Sequence, residues 1–454
     1  MILRTAPSAR SLALEILSAA TTGERSVEDL LAAALQAHTT LPRVERAFLL
    51  ELVQGVKRWE IRLDYYLKQV SHLPLAKIHP LVLVILRLAA YQLFFLDKVP
   101  AHAALAEAGK LARQWSLPQA YRGFINAVLR RLAAEGAPPL PGLEEDAVLS
   151  LSLLTAHPAW LVRRWLARYG LRLAQAKLEA NNQIPPLTIR VNTLKTDTVS
   201  LARRLAQEGL ETIPCRFSPV GLHLAKVKVP PLTTPSFLEG LWLFQDEAAQ
   251  LAGFLLPLES GWQLAEIGAG RGGKTTHLAE RLGQKGLILA LDHHPGRLRQ
   301  LAALAHRWTA TNVYPLQADA SHPLPLRQGT LDAVVIDAPC SSLGVIRRHP
   351  EIKVRRQEAD VAAFPPRQLA MLQHAAPVVR RGGFILYITC STEPEENQEV
   401  VAAFLSQHAE FHLFRDQSFL PPAARFCIEP AGFFVTSPEA HNMDAFFAAL
   451  MEKH

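Results

Sequence analysis

Two short motifs place cysteines where they could do chemistry. Asp337-Ala338-Pro339-Cys340 follows the apolar run Leu331 to Ile336, and Thr389-Cys390-Ser391 follows the run Phe384 to Ile388. Each run has the β-branched and aromatic composition of a short buried strand, so both thiols fall at strand ends in the same part of the chain. A thiolate is a soft nucleophile suited to an electron-poor carbon, and covalent addition splits one difficult step into two easier ones. A single cysteine in such a place is commonly a small buried hydrophobe. Two beside an acid argue for a site. The other two cysteines, Cys215 and Cys427, read as core residues; with no C-x-x-C spacing anywhere, neither a disulfide framework nor a metal site is expected.

A third motif, Gly268-Ala269-Gly270-Arg271-Gly272-Gly273-Lys274-Thr275, fits two chemistries. Gly268, Gly273, Lys274 and Thr275 satisfy the phosphate-loop spacing of a nucleotide triphosphatase, and the strand ending in Asp337 resembles one that binds magnesium. Gly268, Gly270 and Gly272 equally satisfy the looser pattern of dinucleotide and S-adenosylmethionine sites. The surrounding acids separate the two. Glu266 precedes the loop, Asp292 ends LILALD and Asp319 ends VYPLQAD. Carboxylates so placed repel a triphosphate but suit a cationic cofactor. Glu266 matches an ammonium, Asp292 the hydroxyls of an unphosphorylated ribose, and Asp319 an adenine amino group. S-adenosylmethionine, which carries a sulfonium, is the cofactor expected; NAD would leave the cysteines without a role. Cytosine is a fitting substrate, because its carbon 5 becomes nucleophilic only after a thiolate adds at carbon 6.

These residues need elements to position them. From residue 262 onward short strands alternate with amphipathic helices, which predicts a parallel, doubly wound, Rossmann-like sheet with its ligand beyond the carboxyl ends of the strands. Residues 8–134 instead carry helical periodicity over about 8–20, 26–37, 43–70, 80–96, 101–115 and 118–133. The Pro- and Gly-rich Ala134–Gly142 reads as a linker. Further helices near 147–155 and 158–180 lead to strand-rich stretches with a short helix near 198–208 between them. The expected division is an all-helical domain 1–138, linker helices with a small α+β RNA-binding subdomain 139–240, and the catalytic domain 241–454. The apolar stretch Leu81–Leu96 is broken by Arg87 and Gln92 and is shorter than the roughly 20 residues of a membrane span. It reads as a buried helix. Arg4 and Arg10 precede an apolar segment, but Glu15 interrupts it, so no signal peptide is expected.

The 454 residues carry 48 Lys and Arg against 41 Asp and Glu, a net charge of +7. Basic pairs recur, among them Arg163-Arg164, Arg203-Arg204, Arg347-Arg348 and Arg355-Arg356. A polyanionic partner follows, since neutralising phosphates releases counterions.

The motifs DAPCSSLGVIRRHPEIK, TCSTEPEENQ, RVNTLKTD and FQDEAAQLA together resemble the Sun-type family of RNA cytosine-5 methyltransferases. Residues 43–132 are similar to the NusB-like helical domain that precedes the catalytic part in the bacterial small-subunit ribosomal RNA members. The resemblance implies Cys390 as nucleophile, Cys340 as the cysteine that assists product release, and Asp337 as the acid at cytosine N3. It also implies Asp292 and Asp319 as ribose and adenine contacts. Arg190, Asn192, Arg347 and Arg348 are expected to touch RNA. The implied partner is 16S ribosomal RNA before the subunit is fully assembled, bound by a cytoplasmic monomer with no membrane association. Where the family commonly reads C-A-A-P-G-G-K, this chain has Arg271 in place of the proline. The competing expectation is an RNA-binding ribosome-assembly module that keeps a methyltransferase fold without turnover.

Overall fold

A computed structural model describes residues 8–454 apart from 22 and 24, so Arg4 lies outside the described residues. Ser8 starts α1 (Ala9–Ala20) by accepting from the Ser11 amide, and Ser26 starts α2 (Val27–Ala37) by accepting from Asp29 N. Such side-chain oxygens satisfy amides that a helix leaves unpaired. Prolines set the extended entry to α3 (Arg43–Val70), α5 (Ala101–Gln114), α6 (Gln119–Glu135) and α8 (Ala159–Ala180), and Pro80 opens α4 (Pro80–Phe95). Between α6 and α8 lies α7 (Ala147–Thr155).

The stretch Leu81–Leu96 falls almost wholly in α4, whose Val82, Ile85, Leu86 and Ala89 are buried in the helical core with Leu49, Leu52 and Leu132. Among the described residues no helix is long and apolar enough to cross a membrane. Arg87 on α4 is satisfied inside by Glu60 (2.8 Å) and Asp64 (2.7 Å) of α3.

Beyond the Pro- and Gly-rich stretch 134–142 the chain continues within the same compact unit. Leu140 packs on the helical core, Tyr65 Oη donates to the Pro139 carbonyl (2.9 Å), and α7 packs on α3. The compact helical unit runs to Gln183 and also takes in Ile346–Gln357, a segment that leaves the second unit and returns to it. Lys353 secures that segment. Its buried ammonium donates to the Arg58 carbonyl (3.1 Å), the Thr155 carbonyl (3.4 Å) and Asn182 Oδ1.

The second unit, Ile184–Val345 with Glu358–His454, holds two sheets. β1 (Thr188–Val191), β2 (Leu210–Pro214), β3 (Gly221–Val227) and β4 (Trp242–Phe244) form an antiparallel sheet in the order β2-β3-β1-β4. Its core of Ile189, Val191, Leu222 and Trp242 is closed by Leu201 and Leu205 of the helix Thr198–Gln207.

The larger sheet contains β5 (Gln263–Ile267), β6 (Leu287–Asp292), β7 (Val313–Gln317), β8 (Leu331–Asp337), β9 (Val379–Thr389), β10 (Phe411–Leu413), β11 (Phe434–Val435) and β12 (Phe447–Lys453). The order β7-β6-β5-β8-β9 is parallel, as the alternating strands and helices predict. The sheet is nonetheless mixed: β12 lies antiparallel to β9, with β10 and β11 antiparallel on β12. No helix intervenes between β11 and β12 long enough for a crossover, so the chain can return only antiparallel.

Candidate active site

Strand order reverses between β5 and β8, where Ile267 lies opposite Ile336. In open α/β sheets the crevice beyond such strand ends binds the ligand. The chain leaving β5 turns at Gly268 (φ +76°), where a Cβ would stand 2.4 Å from the Asp337 carbonyl oxygen. Only glycine lets the loop cross the end of β8 so closely. Gly272 (φ +89°) turns the chain again into the helix Gly273–Arg281, and a Cβ there would strike Leu301. Ala269 and Gly272 are buried, Gly270, Gly273 and Lys274 half-buried, and Arg271 exposed.

Asp292 ends β6 in a buried position and shapes the loop by accepting from Gly270 N (3.0 Å) and His294 N (2.8 Å). Asp319, two residues past β7, is exposed; the hydroxyl (2.7 Å) and amide (2.9 Å) of Ser321 donate to it and hold its carboxyl below the usual range. Glu266 is 1 % exposed and its Oε2 has no hydrogen-bond partner. Burial raises its carboxyl to about 7, with the Asp337 charge adding to the rise and the neighbouring Thr275 hydroxyl and the Lys274 and Arg190 cations opposing it. An orphaned carboxylate oxygen beside the glycine loop fits a cationic ligand and repels a phosphate. Lys274 is committed elsewhere: its ammonium donates to Asp337 Oδ2 at 2.7 Å and lies over the Phe446 ring. The phosphate-loop spacing is therefore a coincidence of residue types.

The two cysteines meet. Cys340 Sγ and Cys390 Sγ are 3.2 Å apart at the ends of the adjacent strands β8 and β9, Cys340 buried and Cys390 half-buried. The pair is asymmetric. The Cys340 hydrogen bond lowers the Cys390 thiol below its ordinary range, helped by Ser342 and Lys274 against burial and the Asp337 charge. Cys340 is pushed well up by the same hydrogen bond and by burial, with the Glu396 charge adding to it. These surroundings favour the thiolate at Cys390 over Cys340. Gly344 N donates to the Cys390 carbonyl (2.9 Å), and a Cβ on Gly344 would stand 2.1 Å from the Ala445 carbonyl oxygen.

Three of the four expected RNA contacts are corrected. Arg190 on β1 is wholly buried: it donates to the Gly273 carbonyl (2.6 Å), Thr276 Oγ1 (2.7 Å), Glu280 Oε1 (2.9 Å) and Gln245. Asn192, also buried, donates to the carbonyls of Gly240 (2.8 Å) and Trp308 (3.1 Å). Both bind the small sheet to the helices of the larger one and present nothing to a phosphate. Arg347 is wholly buried too, and Arg348 is half-buried with partners of its own. Cys427 sits in the core, as expected. Cys215 adjoins His223 (3.8 Å) and Glu247 within a hydrogen-bonded network, Glu247 Oε1 accepting from Ser218 N (2.8 Å). Sequence reading missed Glu280 and Glu396, since one chain does not distinguish a buried glutamate from solvated ones.

Three comparisons bear on this geometry. A family model described as 16S rRNA methyltransferase RsmB/F matches residues 253–452, a NusB family model residues 7–134, and an RsmF/B-like ferredoxin-like domain residues 157–230. A probable ribosomal RNA small subunit methyltransferase B of Bacillus subtilis is 33 % identical, over 98 % of this chain and 99 % of its own. The chain belongs to the RsmB/F family of 16S rRNA methyltransferases. Another RsmB/F-type relative, ribosomal RNA small subunit methyltransferase B of Pseudomonas putida, is 35 % identical over 88 % of this chain and 89 % of its own. The crystal structure of PH0851 matches this RsmB/F member at a TM-score of 0.84 and 25 % identity, covering 99 % of this chain and 100 % of that one. NSun6 from Pyrococcus horikoshii shares the fold over 66 % of this chain and 99 % of its own (TM-score 0.59, 22 % identity).

Proposed function

We propose that this RsmB/F member methylates carbon 5 of a cytosine in 16S ribosomal RNA, with S-adenosylmethionine as donor and Cys390 as nucleophile. The observation that carries the reading is the 3.2 Å approach of Cys340 and Cys390 beside the Asp337–Lys274 pair. When bound, S-adenosylmethionine supplies a methyl group activated by its sulfonium. Glu266, the Gly268–Lys274 loop, Asp292 and Asp319 would hold it, and the orphaned Glu266 oxygen is the feature that fits a cation. The Cys390 thiolate forms a bond to carbon 6, while Asp337 stabilises protonated N3. Once carbon 5 carries the methyl group, loss of its proton and expulsion of Cys390 restore the ring, assisted by Cys340. The target base must leave its stack to reach these residues.

The exposed arginines of the basic pairs, including Arg163, Arg203 and Arg355, are proposed to hold RNA phosphates in place of Arg190 and Arg347. The substrate is proposed to be 16S RNA before assembly is complete, acted on by a cytoplasmic monomer; methylating naked RNA and mature subunits in parallel, with sedimentation of the enzyme, tests these points.

Denaturing gels of enzyme mixed with RNA and cofactor test the chemistry. Cys390→Ala should give neither methylation nor adduct, whereas Cys340→Ala should methylate and then accumulate a protein–RNA adduct. An adduct that persists in Cys390→Ala and is lost in Cys340→Ala reverses the roles. No adduct in Cys340→Ala, with stability slightly lowered in both variants, would reduce the cysteines to packing residues.

A further inference from the structure

Glu396 is fully buried in the turn Pro394–Glu396 that follows the Cys390 loop. Its carboxylate joins two separate stretches of chain. Ser341 N donates to Oε2 (2.7 Å), Ser391 Oγ donates to Oε1 (2.6 Å), and Gln368 Nε2 adds a bond to Oε2 (3.3 Å). The Ser341 and Ser391 hydroxyls are themselves 3.1 Å apart, and the Glu396 carbonyl accepts from Tyr387 Oη (2.6 Å) on β9. Ser341 is the residue after Cys340 and Ser391 the residue after Cys390. One carboxylate therefore grips the backbone beside one thiol and the side chain beside the other.

We propose that Glu396 is a positioning residue: it latches the two cysteine loops together and fixes the Cys340–Cys390 separation. A hydrogen bond between sulfurs loses its hold once the loops drift apart. Charge acts in the same sense. Glu396 stands against ionisation of Cys340, while Lys274 favours it at Cys390, where Asp337 and burial oppose it. Cys340, Tyr387, Ser341, Ser391 and Gln368 complete the groups that face the carboxylate. The glutamate touches neither base nor cofactor in the proposed reaction. The inference rests on Cys390 being the nucleophile, but its test requires no RNA.

The full chain and its Glu396→Ala and Glu396→Gln variants are alkylated with iodoacetamide across the neutral and alkaline range, and peptide mass spectrometry reports each cysteine separately. In the native chain Cys390 should titrate below an ordinary thiol, with Cys340 nearly inert. Glu396→Ala should move the Cys390 midpoint up by about one unit, roughly tenfold less thiolate at neutral pH, and should expose Cys340 to reagent. Glu396→Gln keeps an oxygen for Ser341 N and a polar partner for Ser391, and should restore a midpoint close to native. S-adenosylmethionine binding checks that each variant is folded. Should Glu396→Ala fail that check, Ser391→Ala removes the Oε1 bond, together with the hydroxyl's contacts to Ser341 Oγ and Glu393 N, keeps the Ser341 N bond to Oε2, and should shift the midpoint in the same direction. Superimposable profiles in all folded variants would overturn the latch. Failure of Cys340→Ala to accumulate any RNA adduct would instead sink the covalent methyl-transfer mechanism and leave the latch standing on its own readout.

Discussion

Glu266 makes the pH dependence of cofactor binding a sharp test of the site. Its carboxyl is buried, lacks a partner for Oε2, and is raised to about 7 by burial. A sulfonium- and ammonium-bearing ligand favours the ionised form, so the carboxyl must titrate lower in the complex than in the free protein. The sign follows. Below about pH 7 binding has to expel the proton, and affinity rises with pH until the free carboxyl is itself ionised. At pH 6 about one site in eleven is ionised, so affinity should be roughly tenfold below its plateau, about 1.4 kcal/mol. Calorimetry in buffers of different ionisation enthalpy should show nearly one proton released per S-adenosylmethionine at about pH 6 and few at about pH 8. Glu266→Gln should flatten the dependence and hold affinity near the low-pH value. An affinity unchanged across this range in the native chain, or an equal slope in Glu266→Gln, would refute the assignment of Glu266 to the cofactor.

Arg190→Met should lower stability to chemical denaturation by about 3 kcal/mol, because Glu280 loses its cation yet keeps Trp308 Nε1 (2.8 Å) and Thr193 Oγ1 (2.8 Å). It should leave the salt dependence of RNA affinity untouched, which filter binding at several ionic strengths would check; a flattened slope would return Arg190 to the RNA interface. Arg355→Gln, at an exposed position, should flatten that slope by roughly one unit if it contacts a phosphate. Asp292→Ala should weaken S-adenosylmethionine by about 1–3 kcal/mol in calorimetry, through a lost charge-assisted bond and a loosened Gly270 turn. ATP with magnesium should not bind measurably, and ATP hydrolysis lost in Lys274→Ala would contradict the reading of the loop.

Local pattern made much of this protein legible. Helical periodicity marked α1 to α6 to within a residue or two, since a helix facing one core must repeat its apolar residues every three or four positions. The strand-ending acids and cysteines were readable for a similar reason: a parallel sheet brings its carboxyl ends to one edge, so residues distant in sequence share a site as soon as the strands are recognised. What escaped were partnerships. The arginines of RVN and of RRH look like RNA contacts because a lone chain records charge and not burial, whereas Arg190 and Arg347 are fully buried. Pro and Gly end helices wherever they occur, so the stretch near Gly136 was legible as a break; that α7 packs on α3 beyond it depends on surfaces made elsewhere. Sequence by itself determined which residues could do chemistry and which strand ends would carry them, because residue type and periodicity are local properties. Only the tertiary structure decided that Lys274 pairs with Asp337, that Glu396 bonds to the residues following both cysteines, and that the two sulfurs meet. Those outcomes turn on ångström separations and on the loss of water around buried groups, and neither is fixed until the strands are side by side.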